Sequence, residues 1–495
     1  MDLEGKLPLP PCLRCGFASQ WRCITCVGSP LYCRACLHQR HTRSPWHRVQ
    51  RWNTEGFYET DSLVNCGIKL STGHGGDPCP TTRSVIPGDL NNDAWEDVGS
   101  GGSPQDTFHR HITVVDVSGI HVIPIQWCLC TNAADRYRQL LDLRLYPASA
   151  KRPGTAFTFD VLNEFLLINR ACNTPAQSYF DVLRKKTDPI RPYATPNRYR
   201  EFLRVIRQWR HLKARRQSGV AHDGYDIEKR GQMALFCPAC PQPGINLAED
   251  WRSDPERWKY RMQLVMDGNF AAEHQKMKNP EDDVWLSDGD GYFVGRREYS
   301  EHLKTAVELF ERSTCNNHKA VNAPGNRNTL EATGIGATAC ARHGCFVPHS
   351  VVNFGKGEKQ AYMDYSYANS IHQLVHPDVG EVLYFYDVIC QWFVKLRLRV
   401  QRSKILRGLL HHVPDLRLVK GIGLFHVHGH KQSCLPRFSP DFIRGAGSID
   451  GEVIETLWAI LNDTSRATRG MTAAHRQEVI DDHMRYSNWI KLVQM

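Results

Sequence analysis

Eight of the nine cysteine and histidine side chains in residues 12–47 fall in a ligand-like pattern: Cys12-x-x-Cys15, Cys23-x-x-Cys26, Cys33-x-x-Cys36, His41 and His47. A segment this short cannot bury enough apolar surface to fold on its own. Its eight soft or borderline ligands instead make two tetrahedral sets of four, the closed arrangement of structural Zn²⁺. Each Cys-x-x-Cys turns two sulfurs onto one ion. Alternate pairing predicts Cys12, Cys15, Cys33 and Cys36 around one zinc and Cys23, Cys26, His41 and His47 around the other. The chain has 18 cysteines in 495 residues, and no apolar stretch follows a basic start. It therefore reads as a reduced, intracellular protein whose grouped cysteines are metal ligands before they are disulfides.

This cross-brace resembles a B-box finger more than a RING finger. Such modules mostly contact proteins, although the flanking Arg40, Arg43, Arg48 and Arg51 also suit phosphate. Further on, His74 and Cys79 lie in a Gly-rich turn, and Cys128-x-Cys130 follows a β-patterned run, His111–Gln126. Together they form either a third, Cys₃His zinc site stapling a small β domain or a set of ordinary buried thiols. Cys66 and Cys172 have no evident partner and read as packed side chains.

With 41% hydrophobic and 23% charged residues, composition excludes wholesale disorder and a fibrous repeat. No apolar run approaches the ~20 residues that span a bilayer, so no membrane partner is expected. A net charge of +10, from 62 basic against 52 acidic residues, permits a polyanionic partner without requiring one.

Helical periodicity runs through residues 136–216. Its clearest stretch is 197–216, where Phe202, Val205, Ile206, Trp209 and Leu212 make one apolar stripe. The opposite face carries Arg200, Arg204, Arg207, Arg210, Lys213, Arg215 and Arg216. That face either lies along a DNA backbone, where each phosphate contact releases counterions, or is simply solvated. Residues 218–232 lack periodicity and read as a linker.

The second half carries carboxylates in unusual places. Residues 264–270 form a buried-strand pattern with Asp267 near its end, and 381–390 a second one bearing Asp387. A carboxylate in an apolar strand costs several kcal/mol unless something compensates it. Two such strands point to two aspartates sharing a cation, with a third acid, Glu452 or Glu455, on a following helix. Short β runs near 333–340 and 345–352, a helix over 359–375, the Asp387 strand, a helix from 391 to about 402, a strand at 421–428 and the acidic helix complete the order. That succession is the order of an RNase H-like fold, in which three carboxylates hold two Mg²⁺ or Mn²⁺ ions for phosphoryl transfer. Cys237-x-x-Cys240 with Cys315-x-x-His318 is a plausible further zinc set, with His343 and Cys345 as alternative partners. His426, His430 and Cys434 would share a face if their segment were helical, and then either hold a metal, position DNA or simply pack.

Several stretches are recognisable. Cys237-Pro-Ala-Cys240, Met266-Asp-Gly-Asn-Phe, Thr314-Cys-Asn-Asn-His-Lys-Ala-Val, Tyr386-Asp-Val-Ile-Cys-Gln-Trp and Gly447-Ser-Ile-Asp-Gly-Glu-Val-Ile-Glu-Thr-Leu-Trp-Ala resemble the Kyakuja–Dileera–Zisupton (KDZ) transposases of fungi. The front half, including Cys128-x-Cys130, is similar to the cysteine-cluster domain that accompanies them. The resemblance implies a DDE transposase acting on the DNA ends of a mobile element in the nucleus; a homo-oligomer is a further expectation. Asp267 and Asp387 match the two strand aspartates. Similarity to the Glu-bearing helix of hAT transposases favours Glu455 over Glu452. The sequence departs from the pattern at Ala271-Ala-Glu-His274 and at Thr456, where basic residues are usual, and it stops sooner after Asn488 than relatives do.

The expected architecture is thus α/β and multidomain. A cross-brace zinc module (1–52) precedes a mainly β cysteine-cluster domain (53–150), a basic helical segment (151–232) and an RNase H-like core (233–495). Structural zinc and catalytic Mg²⁺ or Mn²⁺ are the expected cofactors, and DNA the expected partner. The alternative function is a decayed relic in which the acids are idle and the zinc modules serve a DNA- or protein-binding adaptor. A B-box-like scaffold reading rests on residues 12–47 alone.

Overall fold

The computed structural model describes residues 9–53, 56, 58–83, 111–222, 230–309, 315 and 329–495. The chain forms two compact units, Met1–Trp209 and Arg210–Met495, dividing ahead of the linker expected at 218–232. No helix among the described residues is long and apolar enough to cross a membrane.

In the first unit, strand Trp21–Cys23 pairs antiparallel with Leu31–Tyr32 and with Val49–Trp52, which in turn pairs with Tyr58–Asp61. This small sheet therefore runs past position 52. A second sheet has the order Leu70–Ser71, Gly119–Gln126, His111–Asp116, Thr155–Thr158, Leu145–Pro147. Residues 136–216 are thus not helical throughout. The β-branched and aromatic Thr155-Ala-Phe-Thr158 pairs parallel to His111–Asp116 instead, and the sheet continues beyond position 150. Trp21, Leu37 and Val49 of the cysteine-rich front share one buried cluster with Ile112, Val114, Ile123 and Trp127. Metal knuckles and β sheet consequently form a single core. Cys66 is buried there, whereas Cys172 is exposed.

The second unit is built on a five-stranded sheet: β1 (Met262–Asn269), β2 (Gly334–Cys340), β3 (Val352–Phe354), β4 (Glu381–Phe385) and β5 (Arg417–Gly421). Its spatial order is β3-β2-β1-β4-β5. β1, β2 and β3 pair antiparallel in succession, and β4 and β5 run parallel to β1. The fifth strand lies earlier than the sequence suggests. Residues 421–428 leave the sheet after Gly421 and form the helical turn Leu424–Val427.

Alternate residues of β1 and β4 face opposite layers, as period-two geometry requires. Leu264, Met266, Val382 and Tyr384 pack with Met363, Tyr367, Ala368 and Ile371 of α1 (Gln360–Leu374). Val265, Leu383 and Phe385 pack with Ile454, Leu457, Trp458 and Leu461 of α3 (Val453–Thr468) and with Ile480 and Met484 of α4 (Ala473–Gln494). Burial on both faces explains why these strands read as nearly continuous apolar runs. The Phe385 ring lies against bare backbone: a Cβ would come within 2.5 Å of it at Gly421 and within 2.6 Å at Gly451.

One pair of opposite charges is buried in this core. Asp364 of α1 receives two hydrogen bonds from Arg399, at 2.6 and 2.9 Å, from α2 (Leu396–Arg402). Their side chains are 3% and 2% exposed. Replacing Arg399 with leucine strands a buried carboxylate, so Arg399→Leu should destabilise the second unit by about 3–5 kcal/mol in urea unfolding. The double variant Asp364→Leu/Arg399→Leu should recover most of that loss.

Candidate active site and metal centres

The parallel register that pairs Val265 with Phe385 carries Asp267 and Asp387 to the same end of adjacent strands. β3 and β5 end on this rim as well, so the segments that follow them also reach it. Trp458 of α3 donates its indole N–H to Asp267 Oδ2 at 2.9 Å, which fixes that carboxylate's rotamer. From the segment after β3, Glu358 approaches, and its Oε1 accepts the Tyr386 hydroxyl at 2.5 Å. Gly268 makes that approach possible, since a Cβ there would lie 2.8 Å from the Phe354 ring and 3.1 Å from Glu358 Oε2. After β5, the turn Leu424–Val427 presents His426, whose Nδ1 lies 3.4 Å from Asp387 Oδ2 and whose Nε2 lies 2.7 Å from Glu455 Oε1.

The two candidate acids of α3 are separated by their contacts. Glu452 Oε1 accepts the backbone N–H groups of Phe425 and His426 at 2.8 and 3.1 Å. It thereby caps the turn that carries His426, in space left by Gly423, where a Cβ would collide with the Glu452 side chain. Glu455, more than half exposed, points to His426. Sequence reasoning missed Glu358 altogether and grouped His426 with His430 and Cys434 instead of with the acids. Glu358 follows Gly355-Lys356-Gly357 in a turn, where no buried-strand pattern marks an acid as unusual.

Burial and the neighbouring anions set the electrostatics. Burial, followed by the charges of Glu358 and Asp387, raises the Asp267 carboxyl well above the usual range. Burial likewise lifts Glu358 to about 6, with Asp387 adding to the shift and the Tyr386 hydrogen bond opposing it. For His426, burial favours the neutral ring, but Asp387, Glu455 and Glu452 outweigh it and hold the imidazole above its ordinary value. The donor set is all carboxylate oxygen with one imidazole, which fits a hard divalent cation.

Sulfur and imidazole gather elsewhere, in sets whose ligand atoms all lie within 4.8 Å of one another. A tetrahedral zinc with Zn–S near 2.3 Å and Zn–N near 2.0–2.1 Å puts its ligand atoms roughly 3.5–3.8 Å apart. Cys15 and Cys33 Sγ are 3.7 Å apart in the set Cys12, Cys15, Cys33, Cys36. In the set Cys23, Cys26, His41, His47, Cys26 Sγ lies 3.5 Å from His41 Nε2 and 3.4 Å from His47 Nδ1. His41 Nδ1 lies 3.0 Å from the Leu37 carbonyl, an orienting contact usual for a ligating imidazole. The structure also assembles His74, Cys79, Cys128 and Cys130, with His74 Nε2 3.4 Å from both Cys128 and Cys130 Sγ.

Of the partners expected for Cys237 and Cys240, the alternative His343 is found in their set, whereas Cys315 is not. The two cysteines meet Cys340 and His343, with His343 Nδ1 3.3 Å from Cys237 Sγ and 3.5 Å from Cys340 Sγ. Cys345 lies beside Cys237. The antiparallel β1–β2 ladder sets Cys340 opposite Leu264, near the chain entering from Cys240, which no spacing rule could show. Cys315 lies instead with Cys390, His430 and Cys434. His318 falls outside the described residues.

Residues 260–488 match the family model of the Kyakuja-Dileera-Zisupton transposase. Residues 97–191 match the CxC2 like cysteine cluster associated with KDZ transposases. Together the two matched regions span well over half of the chain. The chain belongs to the KDZ transposase family. No curated protein and no solved structure gives a significant match. Membership in a transposase family implies DNA as the partner, and the cysteine-rich clusters with histidine suggest zinc binding.

On the basic helix Tyr199–Gln217, Arg200 and Arg204 are exposed, and Arg207 and Lys213 are half-buried. Arg204 also donates to the Ala148 carbonyl at 2.8 Å. Arg210 and Arg215 do not belong to the exposed face. Arg210 is buried 3.4 Å from Asp482, and Arg215 is buried with a 2.9 Å hydrogen bond to the Val220 carbonyl.

The acidic rim has a pH signature. Glu358 at about 6 lies above its ordinary 4.5, so its contribution to the stability of the metal-free protein is present at low pH and lost as pH rises through about 6. Cation binding requires those protons to leave, so Mn²⁺ should raise the melting temperature progressively more between pH 4.5 and 7. Glu358→Gln should flatten both trends in differential scanning fluorimetry.

Proposed function

We propose that this KDZ protein is a DDE-type DNA transposase whose second unit is an RNase H-like core. The observation carrying the reading is the meeting of Asp267, Asp387 and Glu358 at one rim of a β3-β2-β1-β4-β5 sheet, with Glu455 of α3 joined to Asp387 through the His426 ring. Asp267, Asp387 and Glu455 would hold two Mg²⁺ or Mn²⁺ ions, with Glu358 within charge range of the first two. Divalent cations bound in such a site activate water for attack on a phosphodiester and offset charge on the departing 3′ oxygen. Trp458 and Tyr386 orient the carboxylates of Asp267 and Glu358. Glu452 is a positioning residue that holds the His426 turn by its backbone. Asp387, Glu455 and Glu452 raise the proton affinity of His426, and a proton on the ring between Asp387 and Glu455 would limit their repulsion.

Arg200, Arg204, Arg207 and Lys213 are proposed phosphate contacts. The zinc clusters of the first unit would hold DNA or organise an assembly in which two element ends meet, and action on chromosomal DNA entails a nuclear location.

Asp267→Asn keeps the shape of the side chain and its Trp458 neighbour but removes a negative ligand. It should lower Mg²⁺-dependent nicking of element-end DNA about 100-fold or more, with DNA affinity unchanged by gel shift. Nicking that persists in this variant removes Asp267 from the mechanism. Binding without nicking by the unaltered protein favours the zinc-dependent adaptor.

A further inference from the structure

The cluster of Cys315, Cys390, His430 and Cys434 lies beside the acidic rim. Cys390 is the third residue after Asp387, in the helical turn Ile389–Trp392. His430 is the fourth after His426, and Cys434 ends the next turn, Gln432–Cys434. His430 Nδ1 lies 3.3 Å from Cys315 Sγ and 3.6 Å from Cys390 Sγ. All four ligand atoms fall within 4.8 Å of one another, which suits the edges of a tetrahedron around zinc. Cys315, His430 and Cys434 are buried. The Lys431 backbone N–H lies 3.4 Å from Cys315 Sγ, and Gln391 Nε2 donates to the Cys315 carbonyl at 3.1 Å.

We propose that these four side chains bind a structural Zn²⁺ that clasps together the segments leaving β4 and β5, and so positions Asp387 and His426. Strand pairing ends at Phe385 and Gly421, two residues before Asp387 and five before His426. Beyond that point no strand ladder joins the two segments, although Glu452 holds the backbone of the His426 turn, and a metal site tolerates displacements of only about 0.5 Å. An ion fixed to Cys390 on one segment and to His430 and Cys434 on the other replaces the missing ladder, and Cys315 closes the fourth position. The ion itself stands on the cluster alone; its bracing role rests on the reading of the acidic rim given above.

The test uses the full chain. Plasma mass spectrometry should find one zinc fewer per chain in Cys390→Ser/Cys434→Ser than in the unaltered protein, with the circular dichroism spectrum retained. Without any substitution, Cys390 should resist iodoacetamide in zinc-loaded protein and become reactive after chelation, read by peptide mass spectrometry. An unchanged zinc count in the folded variant, or a Cys390 that alkylates equally with and without zinc, overturns the site. Mn²⁺ affinity, read by electron paramagnetic resonance of the free ion, should fall about tenfold in the same variant. Zinc loss with unchanged Mn²⁺ affinity overturns the brace and leaves the acidic rim standing. An unaltered protein that binds no Mn²⁺ overturns the rim and the brace, while the zinc count still decides the ion.

Discussion

Like charges held at one end of a pair of parallel strands govern the second unit. Two aspartates at the ends of β1 and β4 are brought together by a backbone ladder that takes no account of their repulsion. Around them the protein places every device that makes this tolerable: an indole N–H on Asp267, a phenol on Glu358, an imidazole between Asp387 and Glu455. None of these neutralises the group as a divalent cation would. Burial first, and the neighbouring carboxylates after it, raise the proton affinities of Asp267 and Glu358, and the gathering of these acids at one rim is what supports the proposed cation site.

Sulfur chemistry answers a different constraint. In the first unit the cysteine knuckles sit inside the same buried cluster as the sheet that follows, so metal would complete a core that short strands cannot complete alone. In the second unit the core is already extensive, with α1 buried almost all round and both sheet faces covered. There the sulfur clusters stand at the margins of the sheet, where chain segments leave it.

What could be read from the sequence follows the distance over which a pattern acts. The first two sets of knuckles are legible because their ligands lie within one short segment. Asp267 and Asp387 are legible because an acid inside an apolar run violates a strong local rule. Glu358 breaks no such rule in its Gly-Lys-Gly turn, and only the missing side chain of Gly268 lets it in. Cys237 and Cys340 are far apart in sequence and meet through an antiparallel register. The apolar residues after Gly421 resemble a strand, yet Glu452 holds the backbone N–H groups of Phe425 and His426 and fixes a helical turn. Arg210 and Arg215 occupy positions that look solvent-facing, but a buried aspartate and a backbone carbonyl draw them inward.

The seating of the Phe385 ring against Gly421 and Gly451 has an evolutionary corollary. Successive side chains of a strand point to opposite faces, so a one-residue slip of β4 would reverse its alternation and send the Asp387 carboxylate away from its partners. The aromatic plate fits only where two neighbouring residues lack a β-carbon, and therefore acts as a ratchet pawl for the strand. Single-residue insertions or deletions between it and the aspartate should be purged from any lineage that still moves DNA, and drift freely in one that does not.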